Sequence, residues 1–539
     1  MLSPAQLIVS DPKFHAADVL GARRMYLAFD WDDLPHMTSL ALLPVAVLLL
    51  ARALRSRRLL YSWIALLPMA VMMLANMFGA VLVALVAVTV PLSLERRPRG
   101  ALFAHAALIA AAAYLAVCPW LPPSLLFTIR RNAAIDLESD TFLRSLAALA
   151  VVAAASALVW LMAWLIASKG AAEWPWRWLL LFTCPAVLIP VLAQYWGPHF
   201  VPQPGRYKFE LELAVVWAAV FLLRPLIQRL RVSERVVLAI PLVAGAFWQA
   251  ASYREIAQKM LRPVDVPASL EYRSAKWVAG HFPGQRVMMA GSMAQWLDTF
   301  TDEPEVGGQS YSTAPNWMEQ IATYQLYSDQ NAGDRAAEVS LLWLEAVGAQ
   351  AVAVPGPESP EPWKPFAHPR KFDGVLPVLW REDDTAIYRV PQASAWLAHV
   401  MRPSQLVSHP PIHGLDVTEL RTYVAALEDP AAAPATLRWQ GPDRAYVRAR
   451  LEPSEIVSTQ FNYHPGWHAW VDGKPRRVYA DGLGLMAVDP QCAGDCEIAL
   501  EFDGGVESKA CLAASAAVLL AAMAWVVRAV LRRKERGDG

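Results

Sequence analysis

The sequence predicts a polytopic α-helical membrane protein that carries an α/β plus β-sandwich module ahead of a final transmembrane helix. Of its 539 residues, 55% are hydrophobic and only 18% are charged, against about 25% charged in typical soluble domains. The apolar residues are clustered in windows of about 17–25 residues, each long enough to cross a hydrocarbon core. The clustering stops over residues 252–509 and resumes in one last window.

The apolar windows predict nine membrane spans. The second and third form one continuous apolar block, which divides at the turn-type tetrapeptide Asn76-Met77-Phe78-Gly79. The predicted spans are 38–54, 59–75, 77–94, 101–120, 145–167, 177–195, 211–227, 236–251 and 510–531. The first eight make a transmembrane bundle over residues 38–251, and the ninth is a C-terminal helix.

Lysine and arginine in the short loops predict the orientation, because cytoplasmic loops are enriched in both. Most of these cations fall on one side of the predicted spans, together with the tail 532–539. The opposite, extracytoplasmic side then holds the N-terminal segment 1–37 and the insert 252–509, in a periplasm or its equivalent. Segment 1–37 has no signal peptide before it. Either it crosses the membrane unaided or a first helix is missing upstream, and we expect the second.

The insert reads as two folded parts and a connector. Residues 252–391 predict an α/β domain, because the helical pattern at 334–348 is followed by a short buried strand at 351–354. Residues 392–433 predict a helical connector containing prolines. Residues 434–509 predict a small β-sandwich, in which Asp472-Gly473 is a hairpin turn signal between two strands.

One stretch of this β-rich part resembles a known motif. The line Tyr463-His-Pro-Gly-Trp-His-Ala-Trp-Val-Asp-Gly-Lys474 resembles a hairpin of the YfhO-like bacterial membrane proteins, in which a final membrane helix also follows. The insert and the Pro-Gln-Pro-Gly-Arg-Tyr loop at 202–207 resemble relatives labelled "6-pyruvoyl-tetrahydropterin synthase-related". Both groups belong to the GT-C type of membrane glycosyltransferase, so the resemblance implies a GT-C-like helix bundle.

The resemblance also implies an activity. GT-C enzymes transfer a sugar from a polyprenyl-phosphate donor to an envelope acceptor, a glycan or a lipid. A carboxylate in the first outer loop removes the acceptor's proton, and cations stabilise the phosphate that leaves. We expect the helix that normally precedes that loop to lie upstream of this sequence. Asp30, Asp32 and Asp33 stand where the loop would end, as candidates for the base or as oxygen ligands for a divalent cation. The alternative is a solvated helix cap.

Charged residues at the start of the seventh span form a second candidate site. Arg206 and Tyr207 are candidates for binding the donor phosphate, and Glu210 and Glu212 for orienting them or the acceptor. Arg206 and Glu210 lie four residues apart and would share a helix face. Carboxylates in a membrane span usually face a bundle interior or an aqueous cavity. The alternative is an interfacial helix start with snorkelling cations.

Arg130 and Arg131 also face the predicted outer side and are further candidates for binding the phosphate, because arginine presents a planar fork of donors. The alternative is that they pair with the acidic run that follows, Asp136, Glu138 and Asp140, or with lipid head groups.

The remaining residue types add little chemistry. His15, His36 and His199 are isolated and lack metal-ligand spacing, so no metal site is predicted from them. Cys492 and Cys496 predict a disulfide in an oxidising compartment.

Two functions follow from the sequence. The first is a glycosyltransferase in the plasma membrane that uses a lipid-linked sugar. The second is a non-catalytic or truncated membrane scaffold, which binds envelope glycans or partner proteins through its periplasmic part. Trp467 and Trp470 could stack on sugar rings or pack in a core. Membrane lipids are expected partners, whereas nucleic acid is not, because the sequence has no basic domain, no zinc-finger spacing and no basic-aromatic stripe.

Overall fold

A computed structural model of the chain describes residues 33–95, 100–133, 142–166, 174–197, 200–201, 203–261, 263–307 and 313–537. The chain divides into two compact units. Unit 1 is Met1–Arg262 together with Ala510–Gly539, and unit 2 is Pro263–Lys509. Unit 2 is therefore inserted, in sequence, between the helices of unit 1.

Unit 1 is helical throughout its described part. Its helices are α1 (Leu34–Ser56), α2 (Leu59–Ala75), α3 (Met77–Leu94), α4 (Gly100–Val117), α5 (Pro123–Ala133), α6 (Phe142–Ile166), α7 (Trp174–Trp196), α8 (Lys208–Arg229), α9 (Val232–Met260) and the C-terminal helix (Gly505–Gly537). Before α8 lies a 3₁₀ turn, Pro204–Tyr207.

Seven of the described helices are long and apolar enough to cross a membrane, which confirms a multi-pass membrane protein. They are α1, α3, α4, α6, α7, α9 and the C-terminal helix. The predicted span 59–75 is the helix α2, which is shorter. The predicted span 211–227 lies within α8, which carries two glutamates in its first turns.

The junction of α2 and α3 lies where the sequence predicts a break. Asn76 caps α3, with its Oδ1 accepting a hydrogen bond from the Phe78 amide at 3.1 Å. Gly79 follows in the first turn and lies against the carbonyl of Met72, with Ser39 of α1 beside it. The Ser39 hydroxyl also donates to the Met72 carbonyl, at 2.9 Å. The absence of a side chain at Gly79 therefore lets three helices approach one another.

We expect Gly79→Ala to destabilise unit 1 by about 1–3 kcal/mol, because a Cβ would overlap the Met72 carbonyl. Gly245→Ala is the matched control, since this helical glycine has nothing within 4 Å of its Cβ position. It should stabilise the helix by up to about 1 kcal/mol. Thermal unfolding of the full chain in detergent measures both, and equal midpoints for the two variants would contradict the close approach.

The first part of unit 2 mixes helices with a small sheet. Its helices are α10 (Leu270–His281), α11 (Ser292–Phe300), α12 (Trp317–Ser328) and α13 (Ala336–Ala346). Strands β1 (Ala351–Pro355), β2 (Val378–Glu382) and β3 (Thr385–Arg389) pair antiparallel in the order β1-β3-β2. Met288 adds a parallel bridge to Val352 in β1. Every residue of β1 is buried, as its apolar run predicts.

The second part of unit 2 is an eight-stranded antiparallel sheet. Its strands are β4 (Ala398–Met401), β5 (Ala435–Trp439), β6 (Arg444–Leu451), β7 (Ile456–Asn462), β8 (Trp467–Val471), β9 (Lys474–Ala480), β10 (Leu485–Asp489) and β11 (Gly494–Phe502). Their order is β4-β7-β10-β9-β8-β11-β6-β5, and the end strands β4 and β5 approach each other, so the sheet is barrel-like. Alternate residues of β6 face an apolar interior.

The predicted fold class is confirmed in its main parts: a multi-pass helical part, an α/β part, a β-rich part and a final apolar helix. Asp472 and Gly473 both have positive φ, 51° and 72°, and join β8 to β9 in the predicted hairpin. The segment predicted as a connector, 392–433, holds the helix α14 (Thr418–Leu427) and also the strand β4. This strand was missed because it is short and pairs with β7, far along the chain.

Candidate functional site

Polar side chains from two distant parts of unit 1 meet at the start of α1 and the start of α8. Asp33 precedes α1, and His36 lies in the first turn of that helix. Arg206 and Tyr207 lie in the 3₁₀ turn, and Glu210 in the first turn of α8. These five residues are called the His36 cluster below.

A buried hydrogen bond joins His36 to Glu210. The His36 Nε2 and the Glu210 Oε1 are 2.7 Å apart, and the two side chains are 0% and 1% exposed. When Glu210 is ionised its carboxylate only accepts, so the His36 Nε2 then donates and the lone pair lies on Nδ1. The pair therefore has the arrangement in which a carboxylate can set the tautomer of a histidine.

Three buried polar atoms of the cluster have no hydrogen-bond partner within the part of the chain that the structure describes. They are the His36 Nδ1, the Glu210 Oε2 and the Tyr207 hydroxyl. Buried polar groups are nearly always hydrogen-bonded, so an unpartnered one calls for an explanation, such as a bound water, a ligand or a catalytic role. Three together, two of them on one hydrogen-bonded pair, distinguish this place from ordinary packing.

Aromatic rings fix the orientation of the histidine. The Phe78 ring stacks on His36, with the ring centroids 4.5 Å apart and the planes 26° apart. Phe209 meets the same ring edge-on at 5.3 Å, and Tyr207 at 6.3 Å. The imidazole is therefore clamped, and its free nitrogen points in one direction.

Arg206 pairs with Asp33 and not with Glu210. The Arg206 Nη1 donates to the Asp33 Oδ1 at 3.1 Å, and the arginine side chain is 44% exposed, whereas the aspartate is 6% exposed. Arg206 lies in the 3₁₀ turn before α8 begins, so its four-residue spacing from Glu210 is not a spacing within the α-helix. Glu212 is buried as well.

Other predicted site residues lie elsewhere or outside the described residues. Arg130 and Arg131 are exposed on α5. Asp30 and Asp32, like the acidic run after Arg131, fall outside the described residues. Among the residues that are described, no group of three or more His, Cys, Asp or Glu side chains could hold a metal ion. The Sγ atoms of Cys492 and Cys496 are bonded, with the Cα atoms 6.4 Å apart.

The fold and the cluster define the class: a multi-pass membrane protein with a buried histidine–carboxylate pair in its helical unit and a mixed α/β and β-rich second unit. No family model matches the chain, and no curated protein matches it. A search of solved structures finds a likeness to the cryo-EM structure of the arabinofuranosyltransferase AftD from Mycobacteria, at 13% identity and a TM-score of 0.34. The match covers 83% of this chain and 45% of that one, so the chain spans less than half the length of that protein. A likeness of this size does not establish a shared fold.

Proposed function

We propose that the protein is a membrane glycosyltransferase of the GT-C type. It transfers a sugar from a polyprenyl-phosphate donor to a glycan or lipid acceptor on the outer face of the plasma membrane. The observation that carries this proposal is the buried pair of His36 and Glu210, 2.7 Å apart, close to a half-exposed arginine. In this proposal unit 2 is periplasmic and the tail after the C-terminal helix is cytoplasmic.

His36 is the base in this mechanism. An acceptor hydroxyl attacks the anomeric carbon of the donor sugar, and the bond from that carbon to the phosphate oxygen breaks, with its electron pair leaving on the phosphate. The hydroxyl proton passes to the His36 Nδ1, the nitrogen that has no partner in the described structure. Glu210 holds the tautomer and stabilises the imidazolium that forms.

Arg206 stabilises the phosphate that leaves. Its side chain is half-exposed and its guanidinium has further donors beyond the one that Asp33 accepts. A carboxylate that holds a guanidinium in place makes it a preorganised anion site. Asp33 is therefore assigned the orienting role, and the base role passes from Asp33 to His36. Arg130 and Arg131 remain assigned to the lipid phosphate, and Glu212 to positioning.

We expect Arg206→Ala to lower turnover of a lipid-linked sugar by about 100-fold or more, because the charge on the leaving phosphate loses its cation. Membranes that contain the full chain are assayed with labelled undecaprenyl-phosphate monosaccharides, each in turn. Arg224→Ala is the matched control, because it removes an exposed arginine from the other end of α8 and should leave turnover unchanged.

In Arg206→Ala the carboxylate of Asp33 loses its partner, and this alone could lower turnover. The double variant Arg206→Ala/Asp33→Asn tests that explanation, since it removes both charges of the pair. It should be as inactive as the single variant. Full activity in Arg206→Ala would contradict the phosphate role. No turnover by the parent chain, at normal expression and thermal stability, would favour the non-catalytic scaffold.

A further inference from the structure

A cavity of about 210 Å³ lies within unit 2, and its lining residues do not include any member of the His36 cluster. It lies where the helices of the α/β part meet the large sheet. Its wall includes the start of α12, the C-terminal end of α13, the end of β7 and the start of β10. A single water needs only about 10–15 Å³, so the cavity can hold a small organic molecule.

Two buried polar atoms of residues that line this cavity have no hydrogen-bond partner in the described residues. They are the Arg286 Nε and the Glu305 Oε1. Arg286 is otherwise well held: its Nη1 donates to the Val347 carbonyl at 2.9 Å and to the Gln460 carbonyl. The Glu305 carboxyl accepts from the Met289 amide. Each side chain is therefore held in place by hydrogen bonds and has one further polar atom without a partner in the described residues.

The amides around these two groups are fixed by contacts of their own. The Asn316 Nδ2 donates to the Asn462 Oδ1 at 2.8 Å and to the Leu483 carbonyl at 2.9 Å. The Asn462 side chain in turn bonds to Glu319. The Trp343 indole donates to the Gly414 carbonyl at 2.8 Å, so its ring is a rigid apolar wall. A cavity with an apolar wall and a few fixed polar groups is typical of a small-molecule site.

Burial disfavours the charged forms of Arg286, Glu305 and Glu319, which line the cavity, so a neutral ligand fits it best. Burial raises the pKa of the Glu305 carboxyl to about 9, and the charge of Asp298 adds to the shift. Glu305 is then neutral near pH 7 and can donate as well as accept. The cation of Arg286 has the carboxyl of Glu319 as its electrostatic partner. A hydroxyl group both donates and accepts, so hydroxyls suit the Arg286 Nε and the Glu305 Oε1 alike.

From these contacts we propose that the cavity at Arg286, Glu305 and Trp343 binds a small neutral polyhydroxylated molecule, such as one monosaccharide unit. Ring hydroxyls accept from the Arg286 Nε and exchange hydrogen bonds with Glu305, while the apolar face of the ring packs on Trp343. This inference goes beyond the proposed transfer reaction and does not depend on it, because the residues belong to unit 2 and the readout is binding.

Titration calorimetry on the full chain in nanodiscs tests the proposal, with D-glucose, D-galactose and D-mannose as neutral probes and D-glucuronate as a charged one. We expect one of the neutral sugars to bind at millimolar concentration and glucuronate to bind at least tenfold more weakly. Glu305→Leu should weaken the neutral sugar at least tenfold. Glu305→Gln should restore most of the affinity, because an amide also donates and accepts.

Asp302→Asn is the matched control, since this exposed carboxyl lies three residues before Glu305; it should bind like the parent chain. The Gln variant shows that the lost affinity is not a folding failure. The proposal is overturned if none of the three neutral sugars binds the parent chain, if glucuronate binds better than they do, or if Glu305→Leu binds normally.

Discussion

His36→Gln is expected to reduce turnover of a lipid-linked sugar by about 10²–10⁴-fold, the usual contribution of a general base. Glutamine keeps an N–H that can donate to the Glu210 Oε1, as the His36 Nε2 does at 2.7 Å. It has no basic nitrogen in place of Nδ1. The loss should therefore fall on kcat, while KM for the donor stays nearly unchanged, because binding groups are untouched. Steady-state kinetics of both chains in membranes measure the two constants.

His105→Gln is the matched control for this experiment. His105 lies in α4 and has its Nε2 3.0 Å from the Ser62 hydroxyl, so the variant also exchanges a hydrogen-bonded histidine in a helix of unit 1. We expect its turnover to match the parent chain. A fully active His36→Gln chain would remove the base role from His36. Equal losses in both histidine variants would point to a general effect on the helical unit.

Glu305→Gln should change how the stability of unit 2 depends on pH. The pKa of Glu305 is raised by burial to about 9, from an ordinary value near 4.5. A raised carboxyl pKa means that the folded chain keeps a proton which the unfolded chain has released. Stability therefore falls as pH rises from about 4.5 to 9, by up to about 1.4 kcal/mol per pH unit. Below and above this pH window, Glu305 does not change the free energy of unfolding as pH changes.

The contribution of Glu305 to the pH dependence of stability is best separated from those of other groups between pH 7 and about 9. Burial also raises the pKa values of Glu345 and Asp481, each to about 7, so these two groups add slope mainly below pH 7. We expect thermal midpoints of the full chain, followed by tryptophan fluorescence, to drop between pH 7 and 9 more steeply in the parent than in Glu305→Gln. Parallel curves would show that Glu305 is ionised in the folded protein.

Local patterns predict most of the secondary structure of this chain. The apolar windows mark the helices of unit 1, and Asn76 with Gly79 marks the break between α2 and α3. In unit 2, the helical pattern predicted at 334–348 contains α13 and ends at Gly348, which has a φ of 73°, and Asp472-Gly473 forms the expected turn. These features depend on residues close in sequence, whose backbone preferences act without the rest of the fold.

The sequence alone predicts only part of the candidate site. Buried carboxylates in α8 are expected from the cost of exposing them to lipid, and Arg206 lies beside them in sequence. His36 is different, because its partner is 174 residues away and no spacing rule joins the two. The sequence does not predict the Arg206–Asp33 pair for the same reason, because the two residues are 173 positions apart. Both contacts arise only when the chain folds and brings the start of α1 to the residues around the start of α8.

The insertion of unit 2 into the sequence of unit 1 has a consequence for biosynthesis. In the C-terminal helix, the Ser515 hydroxyl donates to the Ala116 carbonyl of α4 at 2.8 Å, across 399 residues. The ribosome adds about 5–20 residues per second, so the roughly 250 residues of unit 2 delay this contact by roughly 12–50 s. Throughout that interval α4 lacks its contact with the C-terminal helix. A premature stop anywhere in unit 2 would thus leave the helical unit unfinished as well, and expose it to membrane quality control.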